Sequence, residues 1–162
     1  MTRKLNFIAA FLLAVTLALA AGGVAEAKSA DAEFPVGYNF FSYAYYVGSD
    51  YKVVNSKMDV SSFIENSRAY VPVRYLAYAL GVAEKDVNWD EASQTVTLSM
   101  EGTTVKLQVG SKTLYVNGKP QEMDVTPLLR DGRVFLPARF VAEAFGYEVF
   151  YRSNIVGIQL KR

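Results

Sequence analysis

One segment of this chain is written twice. Arg68–Gly81 reads Arg-Ala-Tyr-Val-Pro-Val-Arg-Tyr-Leu-Ala-Tyr-Ala-Leu-Gly, and Arg133–Gly146 reads Arg-Val-Phe-Leu-Pro-Ala-Arg-Phe-Val-Ala-Glu-Ala-Phe-Gly. Both arginines, the proline, two alanines and the glycine recur, and most other positions exchange one apolar residue for another. The match extends upstream, where Met58-Asp59-Val60 answers Met123-Asp124-Val125 and Val47-Gly48-Ser49 answers Val109-Gly110-Ser111. A duplication of this length implies one supersecondary unit used twice. It constrains architecture strongly and says nothing by itself about chemistry.

Within each copy the proline suits a helix start, where its missing N–H is harmless and its φ is already set. The glycines Gly81 and Gly146 suit the left-handed position just past a helix end. Leu76 and Leu80, like Val141 and Phe145, stand at i and i+4 and share one helix face. Helices so short need packing to exist. Thr103–Val109 alternates Val105, Leu107 and Val109 against Thr104, Lys106 and Gln108, the period of a half-buried strand. Asn117-Gly118 marks a tight hairpin turn. Phe34–Tyr51 is dense in aromatic residues, which favours strand. The expected fold is therefore α+β: two tandem homologous β-β-α-β-β units, their antiparallel sheets curved around short helices in one compact domain. Unit one covers about residues 38–99 and unit two about 104–162, with a flexible leader over 28–37.

Residues 1–27 carry a different signal. Arg3 and Lys4 precede an almost unbroken apolar run from Leu5 to Ala21, and Ala25-Glu26-Ala27 supplies a small-x-small cleavage pattern. This reads as a secretory signal peptide cut after Ala27, short for a bilayer span of about 20 residues. The expected localisation is secreted or extracytoplasmic, with association with the cell wall as one form of it, and with no membrane anchor after cleavage. Removing Arg3, Lys4 and Glu26 from 17 basic and 16 acidic residues leaves no net charge. Nucleic-acid binding, which relies on concentrated positive charge, is not expected. The chain has no cysteine, so neither a disulfide framework nor a lipid-modified cysteine can form.

The pattern Arg-x-x-x-Pro-x-Arg-x-x-Ala-x-x-x-Gly at residues 68–81 is followed by Val87-Asn88-Trp89-Asp90. Val116-Asn117-Gly118-Lys119 and the second Pro-x-Arg segment come later. With these motifs the chain resembles the copper amine oxidase-like N-terminal domain, or stalk domain, over about residues 45–162. The resemblance implies a small antiparallel sheet curved around a helix, on secreted and envelope proteins of Gram-positive bacteria, and a non-catalytic role. It brings no oxidase chemistry. Copper in such enzymes is held by imidazoles, and this chain has no histidine. The Asn-Tyr-Asp/Glu motif that yields their quinone is also absent; Tyr38-Asn39 has the reverse order.

No catalytic, cofactor-binding or metal-binding residue is assigned, and no cofactor is expected. Without histidine there is no His base for a nucleophile. The carboxylates are scattered over turns and polar faces, with no spacing that marks a glycosidase pair. Arg68, Arg74, Arg133 and Arg139 recur at matched positions, which favours structural pairing with Asp59 and Asp124 over an anion site. Trp89 and its counterpart Tyr151 are expected to bury their rings against the helix. The aromatic strand has no equally aromatic counterpart in the second copy. Alternation places Phe41, Tyr43 and Tyr45 on one face, and these three are the candidate binding residues. The chain thus reads as a secreted, non-catalytic interaction or scaffold module of the bacterial cell envelope with a protein partner. The alternative is a module that binds cell-wall or extracellular glycan through the aromatic strand.

Overall fold

A computed structural model of the protein describes residues 29–161. The expected signal peptide over 1–27 lies outside the described residues. The strands run β1 (Asp31–Pro35), β2 (Phe40–Val47), β3 (Asp50–Lys57), β4 (Phe63–Glu65), β5 (Arg68–Pro72), β6 (Val87–Asp90) and β7 (Thr95–Met100). They continue as β8 (Thr103–Gln108), β9 (Thr113–Val116), β10 (Lys119–Glu122), β11 (Leu128–Arg130), β12 (Arg133–Pro137), β13 (Tyr147–Arg152) and β14 (Ile155–Leu160). Two helices, α1 (Val73–Leu80) and α2 (Ala138–Ala144), follow β5 and β12, and a single 3-10 turn covers Glu84–Asp86.

The strands form three antiparallel sheets. The first has the order β13-β14-β1-β2-β3, the second β10-β9-β8-β7-β6 and the third β11-β12-β5-β4. This corrects the expected α+β class and its tandem units. The chain is mainly β, and every sheet mixes strands from both halves. β2 and β3 share a sheet with β13 and β14, β6 and β7 share one with β8 to β10, and β4 and β5 share one with β11 and β12. The physical reason is area. A two-turn helix cannot cover a five-stranded sheet, so neither half closes a core by itself.

The leader expected over 28–37 is also corrected. Asp31–Pro35 is β1, paired with β14 from Asp31↔Gln159 to Pro35↔Ile155 and with β2 from Asp31↔Ala44 to Glu33↔Ser42. Ala32 and Phe34 point inward and are fully buried, while Asp31 and Glu33 point outward. That alternation is short, and the polar residues around it mask it.

The duplicated segments become strand–helix pairs that meet each other. β5 and β12 pair antiparallel, with Phe135↔Pro72, Leu136↔Val71 and Pro137↔Tyr70. Pro72 keeps extended geometry (φ −58°, ψ 134°), so it ends the strand and the helix starts one residue later than expected. Gly81 at φ 83° ends α1, its N–H donating to the Tyr78 carbonyl while the Val82 N–H reaches that of Ala77. This is the doubly bonded glycine ending that a left-handed residue permits. Leu76, Ala77, Ala79 and Leu80 of α1 and Val141 and Ala142 of α2 are sealed in one core. Val96, Leu98, Val105 and Leu107 of the second sheet, and Phe34, Phe41, Val156 and Ile158 of the first, complete it. Each leucine so buried contributes about 1.5–3 kcal/mol relative to exposure. β8 buries Val105 and Leu107 as its alternation requires, and Asn117 and Gly118 both take positive φ in the β9–β10 turn.

The expected arginine–aspartate pairing is present, and it is crosswise. Arg68 of the first copy binds Asp124 of the second through Nε (3.1 Å) and Nη2. Arg133 binds Asp59 at 2.7 Å. Asp59 also accepts from the Tyr75 hydroxyl at 3.0 Å. Arg130 and Glu65 close a third bridge at 2.7 Å, with the Arg130 guanidinium 4.5 Å from the centre of the Phe63 ring. These partly exposed pairs contribute little energy singly. Their forked geometry fixes how the two strand–helix pairs sit against each other.

Candidate functional site

β2 carries rings on both of its faces, and packing decides their roles. The face holding Phe41, Tyr43 and Tyr45 turns inward. Phe41 is 1% exposed, stacked on Phe34 at 5.0 Å and tilted against Tyr75 at 5.6 Å. Tyr43 stacks on Phe41 at 5.7 Å and Tyr45 follows at 6.3 Å, a ladder of rings rising out of the core. Burial pushes the Tyr43 phenol above its usual pKa, with Tyr45 adding to the shift. Phe41 is therefore a core residue, and Tyr43 and Tyr45 are half-buried members of its stack. The expected binding face is largely spent on packing.

The opposite face of the same sheet is uncovered among the described residues. Cross-strand register lays its side chains in rows. One row runs Phe150, Gly157, Glu33, Ser42, Asn55 across β13, β14, β1, β2 and β3. The next runs Glu148, Gln159, Asp31, Ala44, Val53. Beyond it Tyr46 faces Tyr51 across β2 and β3, their rings edge to face at 5.2 Å. Tyr46, Tyr51 and Val53 are about half exposed (52%, 48% and 59%), and Phe150 is 39% exposed.

Small residues in the middle of these rows leave a trough. Ser42, Ala44 and Gly157 flank Asp31 and Glu33, and larger side chains rise at either side. The groove holds about 360 Å³ and is lined by Asp31, Glu33, Ser42, Ala44, Tyr51, Val53, Phe150 and Gln159, among others. A second hollow beside Glu148, Gln159, Leu160 and Lys161 adjoins it through Gln159. Phe150 lies directly over Gly157, where any Cβ would collide with its ring. Glycine in a strand often marks such a close approach. Tyr51 reaches over β2 to donate its hydroxyl to Asp31 Oδ2 at 2.8 Å. That bond to the Asp31 carboxylate, above all, raises the Tyr51 pKa to about 12. The hydroxyl therefore stays a donor at ordinary pH. Asp31, Glu33 and Glu148 make no ion pair among the described residues.

This arrangement can stack a ring or apolar surface and accept hydrogen bonds. Among the described residues no three of His, Cys, Asp or Glu gather as metal ligands. Of the sequence candidates, Arg68 and Arg133 are held in ion pairs with Asp124 and Asp59. Trp89 packs partly buried against the core. Tyr151 does not; it is exposed, its hydroxyl donating to Asn154 Oδ1 at 2.9 Å. Sequence reasoning missed Tyr51, Val53, Phe150, Asp31 and Glu33. Alternation had separated Tyr46 from Tyr45, but with rings on both faces it could not tell which face meets the core.

The fold defines a small mainly β domain of interleaved antiparallel sheets, braced by reciprocal Arg–Asp pairs. A family model described as the copper amine oxidase N-terminal domain matches residues 49–158, and the chain belongs to that family. It is 35% identical over 60 residues to the primary amine oxidase of Klebsiella aerogenes. That alignment covers 37% of this chain and 8% of the enzyme, so the chain spans only a small part of that relative's length. What is matched is the non-catalytic N-terminal domain of the family. β1 and β2 precede the matched residues.

Proposed function

We propose that this protein is an exported, non-catalytic interaction module of the bacterial cell envelope, and that it binds through the outer face of the first sheet. The uncovered aromatic face made by Tyr46, Tyr51, Val53 and Phe150 carries the reading. Aromatic residues supply contact area at interfaces with few rotamers to lose. The apolar run and small-x-small pattern before Lys28 support export, and the lack of histidine and cysteine fits a role other than catalysis. A glycan as the bound partner is the second reading. The observation favouring it is the trough itself, where rings stand beside the carboxylates of Asp31 and Glu33.

The test is retention of the purified protein on isolated cell walls, together with cross-linking to envelope proteins. Wild type and Tyr43→Ala, whose ring belongs to the inner stack, are expected to be retained in proportion to folded protein. The paired change Tyr46→Ala and Val53→Ser is expected to abolish retention without lowering thermal stability. Equal retention of all three proteins, or none, would remove this face as the binding surface.

A further inference from the structure

The outer face of the first sheet also points to the charge class of its occupant. We infer that the trough across β13, β14, β1, β2 and β3 binds a polysaccharide strand carrying free protonated amines, such as a glucosamine polymer stripped of its acetyl groups. The inference rests on the reading that this face binds a ligand, and it names which one.

Three observations converge. First, the trough lies over the middle of the sheet, where β1 is paired on both sides by β14 and β2. Its main-chain groups are already used in ladders, so only side chains can bind there. An extended peptide added to a sheet draws affinity from main-chain bonds at an open edge. A sugar chain needs only ring faces and side-chain acceptors, which is what this face offers. Second, four strand-to-strand steps separate Phe150 from Val53, about 19 Å at the usual spacing. The open part is shorter than that span, because the Phe150 ring lies over Gly157 and Tyr51 crosses β2 to Asp31. The groove of about 360 Å³ between them has room for a short stretch of linked pyranose rings, with a ring at each end and acceptors between. Third, the acceptors are charged. Asp31 and Glu33 stand side by side on the outer face of β1, with Glu148 further along the sheet and no ion-pair partner among the described residues. Tyr51 uses one oxygen of Asp31 and leaves the other. A carboxylate pair beside aromatic faces favours an ammonium group through charge-assisted hydrogen bonds and cation–π contact. Arg152 and Lys57 stand on the same face only at its two edges, in the row next to that of Glu33, so the negative charge is concentrated over β1 at the centre of the trough.

The experiment is calorimetric titration of the full purified protein with three probes at physiological salt. These are a β-linked glucosamine oligomer, the same oligomer fully N-acetylated, and an oligolysine of equal charge. The glucosamine oligomer is expected to bind at least about tenfold more tightly than either other probe. Asp31→Asn with Glu33→Gln should erase that preference, and Tyr51→Phe, which keeps the ring, should weaken binding without affecting the fold. Circular dichroism and thermal unfolding confirm that each variant is native. Equal binding of the acetylated oligomer would overturn the amine selectivity while leaving a glycan module. Oligolysine binding as tightly would show that bare charge, not sugar, is read. If no sugar binds yet an envelope protein is cross-linked through Tyr46, the occupant is a protein and the binding face stands. If nothing binds, both readings fall.

Discussion

Tyr147→Phe tests the core in one atom. The Tyr147 side chain is fully buried on β13, and its hydroxyl donates to the Leu80 carbonyl at 2.8 Å, tying the first sheet to the end of α1. The last carbonyls of a helix have no partner within it. Gly81 and Val82 satisfy those of Tyr78 and Ala77, and Tyr147 serves that of Leu80. Phenylalanine keeps the ring and its contacts but strands the buried acceptor, which costs about 1–3 kcal/mol. For a domain of this size that is a fall in Tm of about 4–12 °C. Urea and thermal unfolding at neutral pH measure it, with an unchanged m value showing that only stability moved. A second readout comes from pH. Burial pushes the Tyr147 phenol well above its ordinary value of 10.0. A raised folded pKa stabilises below the unfolded value and loses that contribution as pH climbs from about 10 through the folded one. Wild type should therefore lose stability in the alkaline range more steeply than Tyr147→Phe. A variant within about 1 °C of wild type at neutral pH, with the same alkaline limb, would refute the bond as a stabilising tie.

Three further outcomes are expected. Leu76→Ala, at a position with no exposure in the shared core, should cost about 2–5 kcal/mol by chemical denaturation, and the loss should appear in one cooperative transition because both halves share that core. Asp59 is partly desolvated, which opposes its ionisation, but hydrogen bonds from Arg133 and Tyr75 prevail and lower its pKa below 3.8. Its contribution is present above the unfolded pKa and fades as pH falls through the folded one, so Asp59→Asn should flatten the acid limb of stability below about pH 4 relative to wild type. Gly157→Ala should push the tip of the partly exposed Phe150 ring aside, shifting the Phe150 resonances in NMR spectra while changing stability by less than about 1 kcal/mol, because the new Cβ meets only the far end of that side chain.

Local structure was legible in this chain wherever one residue type has one cheap solution. Gly81 could be placed at a helix end and Asn117-Gly118 in a tight turn because positive φ admits few alternatives. The Arg–Asp pairing could be expected from matched positions. What could not be read was which copy each arginine would reach, since Arg68 to Asp124 and Arg133 to Asp59 are long-range contacts that depend on β5 lying beside β12. The tandem units failed for the same reason. Adjacent copies in sequence suggest adjacent closed folds, but the apolar faces of β2, β7, β8 and β14 are too broad for two short helices to cover. The chain closes by exchanging strands between halves. The leader became strand because two inward residues, Ala32 and Phe34, suffice when sheet partners stand on both sides.

The same exchange explains why the candidate face lies where it does. β14 and β2 come from opposite ends of the chain, and β1 is the strand that joins them into one sheet. Its inward residues are small or flat enough to stack under Phe41, which fixes β2 with Tyr43 and Tyr45 turned toward the core. Once that face is buried, period-two alternation leaves Phe40, Ser42, Ala44 and Tyr46 on the outside. β1 then sets Asp31 and Glu33 between the small residues of β2 and β14. The family match begins at residue 49, after both strands. The arginines, prolines and glycines that recur between the two copies of the matched region therefore build the scaffold. The trough is completed by residues that lie before it, and a ligand that reads Asp31 and Glu33 reads a feature that family membership alone does not supply.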